Sequence, residues 1–454
     1  MKYRYRTDEE MKDSGVEWFG NIPRLWKVSK IKYLASITNG QVDPTQAPYC
    51  NMPHIGPENI EKYSGRLLGY KLAKEENLTS GKYYFQKNEI LYGKINPQLG
   101  KSIMAEFEGI CSADMYPLKS NLQKVIPGYL RYYILSKVFF NQSISFPARA
   151  GIPKINREEL ESIFVVLPKK SEQEIITNFL NEKTSQFDSI ISKKEVLIEK
   201  LEEAKKSLIS EVVTGKVKIV KTEEEYNVVP RSREEMKDSG VEWLEFVPKE
   251  WKIVKLKHLV SQKITDGPHE TPKLVDSGVP FLSAEAIVNS SISIPNMRGY
   301  ITEEQYNIYS KKSKVEFGDI LFCKSGSTTG KAALVSLNEK FGIWSPLAII
   351  RAKEEVINRI NLFYLILSPY FRVQVENYWT FGTQPNIGMG TLENLYIPIS
   401  SNINEQKNIT LYLENRIEEI NNIIKNINYE INKLKEAKQS LITEAVTGKI
   451  EILD

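Results

Sequence analysis

The chain has 454 residues, 61 Lys+Arg against 57 Asp+Glu, 41% hydrophobic residues and three cysteines. Its length exceeds the ~250–300 residues at which one core stops growing, so two to four domains are expected, and its apolar fraction excludes a disordered chain. The scattered Cys50, Cys111 and Cys323 exclude a disulfide framework or a Cys-rich zinc site and fit a reducing cytoplasm, while no apolar run nears the ~20 residues of a membrane span.

Met1-Lys2-Tyr3-Arg4-Tyr5-Arg6 leads into acidic residues, not into a signal-peptide core. The segment EEMKDSGVEW follows at 9–18 and recurs letter for letter at 234–243. Extended to 9–34 against 234–259, 16 of 26 positions are kept, including Pro23/Pro248, Trp26/Trp251 and Leu34/Leu259. A second pair, 200–219 against 433–452, keeps 14 of 20 positions. The offsets, 225 and 233, differ by eight residues, so the material between the matches differs in length. One unit is therefore used twice: a signature, a globular block, a long charged helix and a Val-Thr-Gly-Lys end.

The expected boundaries are 1–167 for the first block with its frame segment and 168–215 for the first long helix. Residues 216–246 form a linker and repeated frame segment, 247–399 the second block, and 400–454 the second helix and closing frame segment. The blocks resemble each other faintly. Asn88–Lys94 parallels Gly318–Lys324, and Gly100-Lys101 parallels Gly330-Lys331, both at offset 230. Residues 151–155 parallel 383–387 at offset 232. Tyr83–Phe85, Glu89–Tyr92, Val315–Phe317, Ile320–Phe322 and Ala332–Val335 read as strands between turn residues. Arg131–Phe140 and Asn361–Arg372 read as helices, so each block is α+β.

After Pro168, Ile176, Leu180, Lys183, Phe187, Ile190, Lys194, Leu197, Leu201, Ala204 and Leu208 step by four and three, as a heptad seam does. The second copy repeats it: Ile409, Leu413, Arg416, Ile420, Ile423, Ile427, Glu430, Leu434, Ala437 and Leu441. Gly215 and Gly448 are the expected helix stops. Two such helices in one chain are expected to pair, and an antiparallel coiled coil would put the blocks at opposite ends of a rod of roughly 60 Å. Lys183/Arg416 and Lys194/Glu430 are placed to set its register.

Charge separates block from frame. Residues 20–165 carry 19 basic and 12 acidic side chains, net +7, and residues 247–398 carry 17 and 14, net +3. The rest carries −6 within a total of +4. Basic blocks on an acidic frame point the blocks toward a polyanion.

Catalytic motifs are not found. Gly326–Ala332 is one residue short of a Walker A loop and has Ala at the Mg²⁺-ligand position, and Gly93…Gly100-Lys101-Ser102 has six residues between its glycines. No Rossmann glycine pattern, amino-methyltransferase tetrad or nucleophile elbow is present, and His54, His258 and His269 are dispersed. The reading assigns no catalytic residue, no metal site and no cofactor to the chain itself.

The doubled layout resembles the specificity (S) subunit of type I restriction-modification enzymes over essentially the whole chain. The carriers are EEMKDSGVEWFGNIPRLWKV and EEMKDSGVEWLEFVPKEWKI, Glu172-Gln173 and Glu405-Gln406 opening the helices, and the Thr-Gly-Lys endings at 214–216 and 447–449. TDGPHETPKLVDSGVPFLSAEAI (265–287), GDILFCKSG (318–326) and GTQPNI (382–387) add to them. The resemblance implies two α+β target-recognition domains, each reading half of an asymmetric bipartite DNA site, joined by an antiparallel coiled coil that sets the spacer. It implies double-stranded DNA, two methyltransferase subunits and up to two restriction/translocase subunits as partners. S-adenosylmethionine, ATP and Mg²⁺ would then sit on those subunits, in the cytoplasm and with no membrane.

Phosphate contacts call for Lys or Arg, and base edges favour Arg, Lys, Asn and Gln. The candidates in the Gly-rich loops are Lys94, Asn96, Gln98, Lys101, Arg149 and Lys154 in block one. Block two offers His269, Thr271, Lys273, Lys324, Ser325, Lys331, Thr383 and Gln384. Two alternatives stay open: a non-DNA coiled-coil adaptor with two protein-binding heads, and a specificity subunit serving modification without restriction.

Overall fold

The computed structural model describes residues 2–146, 153–223, 226–382 and 384–453. The chain forms two compact units, 1–196 with 427–454 and 197–426. Each holds one globular head and one half of each long helix.

In the first head an antiparallel sheet runs in the order Ser102–Met104, Ile90–Gly93, Met115–Ser120, Ala35–Ile37. A second sheet runs Lys71–Leu72, Pro53–Ile55, Gly109–Cys111, Tyr83–Phe85, and its two inner strands are parallel. The second head repeats the plan. Its first sheet runs Ala332–Leu334, Ile320–Cys323, Leu347–Ile350, Thr265–Asp266. Its second runs Gly299–Ile301, Val279–Leu282, Gly342–Ile343, with the last two strands parallel. Ile90–Gly93 and Ile320–Cys323 are buried at every position, which is why both read as unbroken apolar runs.

Three expectations for the heads change. Val315–Phe317 is a loop leading into a turn. The apolar stretch around Arg131–Phe140 is two helices, Pro127–Ile134 and Lys137–Ile144. The stretch around Asn361–Arg372 is likewise two, Arg359–Leu367 and Pro369–Tyr378. Ser136 and Ser368 cause both breaks. Each is extended and fully buried, and its hydroxyl accepts from the amide three residues on, Phe139 N at 3.3 Å and Phe371 N at 3.2 Å.

The long helices span Lys170–Val213 and Ile403–Val446. They pair antiparallel. In the first unit Lys194 bonds Glu430 and Lys438 grips both carboxylate oxygens of Asp188 at 2.7 and 2.8 Å, so one number falls as the other rises. In the second unit Lys205 donates to Asn421 at 3.1 Å. Lys205 and Lys438 are repeat equivalents at offset 233, as are Asp188 and Asn421. Lys183 instead bonds Glu182 and Gln186 on its own helix, and Arg416 pairs with Glu419, so neither does the register work expected of it.

The seam is also shifted at every second position. Leu180, Phe187, Lys194, Leu201 and Leu208 face inward as expected. Their inward companions are Thr184, Ile191, Ile198 and Lys205, whereas Ile190, Leu197 and Ala204 are exposed. The second helix shows the same shift, with Ile417, Ile424, Ile431 and Lys438 inward and Arg416, Ile423, Glu430 and Ala437 outward.

Within each unit the repeated segments hold the start of one long helix and the end of the other. Trp26 Nε1 and Arg6 Nη2 both reach Glu172 at 2.9 Å. Trp251 Nε1 and Arg231 Nη2 reach Glu405 at 3.2 and 2.5 Å. The neighbouring glutamines are buried and bind only main chain. Gln173 accepts from Ile126 N and donates to Lys124 and Pro168 carbonyls; Gln406 accepts from Asn358 N and donates to Val356 and Ser400 carbonyls. Gln406→Leu would leave three such groups without a partner, each worth ~1–3 kcal/mol. We expect a stability loss of about 3 kcal/mol or more, read as a lower urea midpoint for the second unit.

Both helices stop at a glycine in the left-handed region, Gly215 (φ +75°) and Gly448 (φ +71°). A Cβ at Gly448 would lie 2.4 Å from Pro23 and 3.0 Å from Trp26, and one at Gly215 would lie 2.5 Å from Pro248 and 3.2 Å from Trp251. The Pro…Trp signature and the Thr-Gly-Lys ending are thus two sides of one joint. Beyond it, Ile450–Leu453 pairs with Lys2–Tyr5, and Val217–Lys221 pairs with Tyr226–Pro230. Lys2↔Leu453 and Asn227↔Val220 are equivalent pairs, so the two strand pairs share one register. A permutant opened between Lys221 and Tyr226, with residue 453 linked to residue 2, is expected to unfold at the wild-type midpoint. A lost or split transition would show the second hairpin to need its covalent turn.

Candidate nucleic-acid interface

Each head builds one loop pair from distant segments. In the first, the bridge Ile95↔Lys154, Asn96 N→Pro153 O at 2.7 Å and Ile155 N→Lys94 O at 3.0 Å clip residues 94–101 to residues 153–155. In the second, the bridge Ser325↔Asn386, Gly326 N→Pro385 O at 3.0 Å and Ile387 N→Lys324 O at 2.8 Å do the same for 324–331 and 385–387. The weak matches at offsets 230 and 232 therefore mark a real contact in both heads.

The structure brings Lys94, Asn96, Gln98, Lys101 and Lys154 together in head one. Asn96 adopts φ +50° and opens the short helix Pro97–Leu99, with Gln98 Nε2 donating to its Oδ1 at 3.2 Å. Lys101 Nζ is occupied by the Pro57 carbonyl at 2.5 Å. Gln98 and Lys154 are exposed. Lys94 lies over the Tyr116 ring at 5.1 Å, with Arg157 also over it at 5.5 Å. Burial pushes the Tyr116 hydroxyl above its ordinary value. Arg157 also donates to the Thr38 carbonyl at 2.7 Å, tying the edge strand to the cluster. Arg149 lies outside the described residues.

Head two places Lys324, Ser325, Lys331 and Gln384 on its loop pair and His269, Thr271 and Lys273 on the 266–273 loop. Asp266 connects the two. Its carboxylate is fully buried and meets Lys312 at 2.7 Å, His269 Nε2 at 3.0 Å and Lys324 at 3.2 Å. Burial alone would raise this carboxyl; hydrogen bonds from Lys312 and Lys324 outweigh it and hold it below the ordinary value. Lys324 is only 9% exposed, so its charge is spent inside the protein. The His269 side chain is 69% exposed, and Thr271, Lys273, Lys331 and Gln384 are also open to solvent. The loop beneath them is held from below by Trp344 Nε1→Glu270 O at 3.1 Å and Ser345 N→Pro268 O at 3.2 Å. Thr383 lies outside the described residues.

Reading the sequence missed Asp266, a carboxylate among candidates sought as cations and amides, and Lys312, Arg157 and Tyr116, which stand outside the Gly-rich loops. It also missed Arg372, which donates to the Thr329 carbonyl and lies over Trp379 at 5.2 Å, bracing the 324–331 loop. No local signal marks a lone arginine in a helix. Lys94 and Lys324, repeat equivalents, show how the heads differ: one lysine rests on an aromatic ring, the other on a buried carboxylate. Among the described residues no group of three or more His, Cys, Asp or Glu is arranged to hold a metal, and no helix is long and apolar enough to cross a membrane.

Comparison with known proteins then decides the class. The family described as "Type I restriction modification DNA specificity domain" matches residues 23–203 and again 248–433. The chain belongs to this family. The two matches fall on the two copies of the repeat, so a specificity domain occurs twice. The type I restriction enzyme EcoDI specificity subunit of Escherichia coli is 29% identical over 197 residues, 43% of this chain and 43% of that protein, so the chain spans less than half of that relative's length in the match. The MjaVIII specificity subunit of Methanocaldococcus jannaschii is 24% identical over 441 residues, 95% of this chain and 94% of that protein. A solved chain, described under complex assembly and conformational transition of the type I R-M system, superposes with a TM-score of 0.63 at 16% identity, covering 94% of this chain and 99% of its own. At that identity the likeness is one of fold.

Proposed function

We propose that this chain is the DNA-recognition subunit of a type I restriction-modification complex. Each head reads one half of an asymmetric bipartite site, and the coiled coil sets the unspecified spacer between the halves. The frame docks two methyltransferase subunits and, in a full system, restriction subunits. The chain supplies recognition; S-adenosylmethionine, ATP and Mg²⁺ chemistry belongs to those partners, in the cytoplasm.

The observation that carries the reading is the shared strand order of two heads whose exposed loops differ. A constant scaffold positions Lys94, Asn96, Gln98 and Lys154 in one head, and His269, Thr271, Lys273, Lys331 and Gln384 in the other. Loops of different chemistry on the same scaffold suit two different half-sites. Ser325 remains a candidate on its loop, Arg149 and Thr383 remain candidates by sequence, and Lys101 and Lys324 are proposed to position the loops through their internal partners. Methylation sequencing of a host genome with and without the gene is the test. Gene-dependent adenine methylation at one interrupted, asymmetric site is expected; an unchanged methylome in a strain carrying the methyltransferase subunit would refute the reading. Gln98→Ala should relax one base position, at ~1–3 kcal/mol, if Gln98 reads an edge, whereas a phosphate contact weakens all sites alike.

A further inference from the structure

Gly100 and Gly330 are repeat equivalents on the 94–101 and 324–331 loops, and both are left-handed, at φ +53° and +93°. The side chain that fills the space beside each is different. A Cβ at Gly100 would lie 2.5 Å from the Tyr63 ring, whereas one at Gly330 would strike the Arg372 guanidinium. The exchange traces to one position in the helices behind the loops. Phe139/Phe371 and Gln142/Gln374 are kept at offset 232, and the two glutamines bind main chain alike, Gln142 at Phe164 and Gln374 at Tyr396. Between these kept pairs, Phe140 is matched by Arg372.

In head one Phe140 carries no polar group for the loop. It backs Tyr63 instead, with ring centroids 5.8 Å apart. Tyr63 sits in a turn closed by Ile60↔Leu67, at φ +59°, a costly conformation for a bulky side chain. Its amide donates to the Gly100 carbonyl at 3.3 Å and its hydroxyl to the Gln98 carbonyl. The base of the turn is pinned, because Glu61 meets Arg66 at 3.1 Å and Lys435 at 3.4 Å. The counterpart turn in head two, closed by Ile287↔Ile292, holds four residues against six. There Arg372 donates to the Thr329 carbonyl directly, lies over Trp379 at 5.2 Å and pairs with Glu376 at 2.5 Å. Thr329 is buried, and its hydroxyl ties the loop to the Gly326 and Pro385 carbonyls at 2.7 and 3.1 Å.

We infer that Tyr63 and Arg372 are positioning residues for the two half-sites: each fixes the main chain of its head's loop, and so governs base discrimination at one half-site without itself contacting a base. Base readout depends on hydrogen-bond direction, which a small loop displacement spoils, whereas phosphate contacts dominate affinity and tolerate it. Loss of either side chain should therefore cost discrimination rather than binding. The inference deepens the proposed function and rests on its assignment of one half-site to each head.

The test uses the full chain assembled with its cognate methyltransferase subunit. Methylation kcat/KM is measured on duplexes with the intact site and with one base pair exchanged in either half-site. Tyr63→Ala is expected to lower the intact-to-exchanged ratio about tenfold at one half-site, the scale of one lost base contact, and to leave the other unchanged. Arg372→Ala should give the mirror image. Tyr63→Phe keeps the ring beside Gly100 and should stay within about threefold of the wild-type ratio, the scale of one solvent-exposed hydrogen bond. The salt dependence of kcat/KM should be the same for all variants. An unchanged ratio in both alanine variants, or a ratio lost at both half-sites together as general unfolding would give, overturns the positioning role. So does an equal loss in Tyr63→Phe and Tyr63→Ala, which would make the hydroxyl a reader of DNA. An Arg372→Ala complex that slows on all duplexes alike, with a shallower salt dependence, would make Arg372 a phosphate contact and overturn its positioning role. A wild-type complex that discriminates at neither half-site would instead overturn the proposed function.

Discussion

Asp266→Ala is expected to destabilise the second unit by ~3–5 kcal/mol, the cost of removing one partner from a buried ion pair. The contribution is unequal among its three partners. Lys312 and His269 are largely exposed and turn to water at little cost. Lys324, at 9% exposure, keeps its charge indoors with no carboxylate beside it. The pH dependence has a definite sign. The folded carboxyl lies below its ordinary value, so its stabilisation is present above the unfolded value of ~3.9 and is lost as pH falls through the folded value. Wild type and variant should therefore differ most near neutrality and converge in acid. Urea melts at pH 7 and pH 3 check this, and equal midpoints at pH 7 would refute the assignment. Under the proposed function the same variant loosens one half-site and leaves the other intact, because Asp266 anchors the 266–273 loop to the 324–331 loop of one head only.

The architecture was largely legible, because repeats are read by self-comparison. The signature, the Glu-Gln helix starts and the Thr-Gly-Lys ends located every joint of the frame, and the offsets of 230 and 232 located both loop pairs. The heptad phase was not legible, for a physical reason. Ile190-Ile191, Leu197-Ile198 and Ile423-Ile424 offer an apolar residue to either phase. The residues that break the tie, Thr184, Lys205 and Lys438, are polar, and they face inward because Lys205 and Lys438 find Asn421 and Asp188 across the seam. Ser136 and Ser368 hid helix breaks inside apolar stretches, since a single buried cap does not disturb the surrounding periodicity. Asp266 looked like an ordinary turn residue. Its role depends on Lys312, 46 residues away, and on Lys324, and nothing local announces a buried carboxylate.

The corrected phase makes the spacer hypothesis sharply testable. Seven residues added to each long helix, after Val196 and after Asn426, preserve the heptad and hence the inward positions on both sides of the insertion. Lys438–Asp188 and Lys205–Asn421 each lie within one unit, so both pairs survive unchanged. Each helix lengthens by about 10.5 Å at 1.5 Å per residue. At ~3.4 Å per base pair this corresponds to about three base pairs. The methylated site is expected to keep both half-sites and to gain about three unspecified positions between them. A four-residue insertion in each helix is the matched control: it advances the seam by one helical turn without completing a heptad, turns Ile191 and Ile424 away from their partners, and should unfold at lower denaturant. Unchanged spacing in a folded seven-residue variant would end the ruler hypothesis, because length would then have been altered with packing held constant.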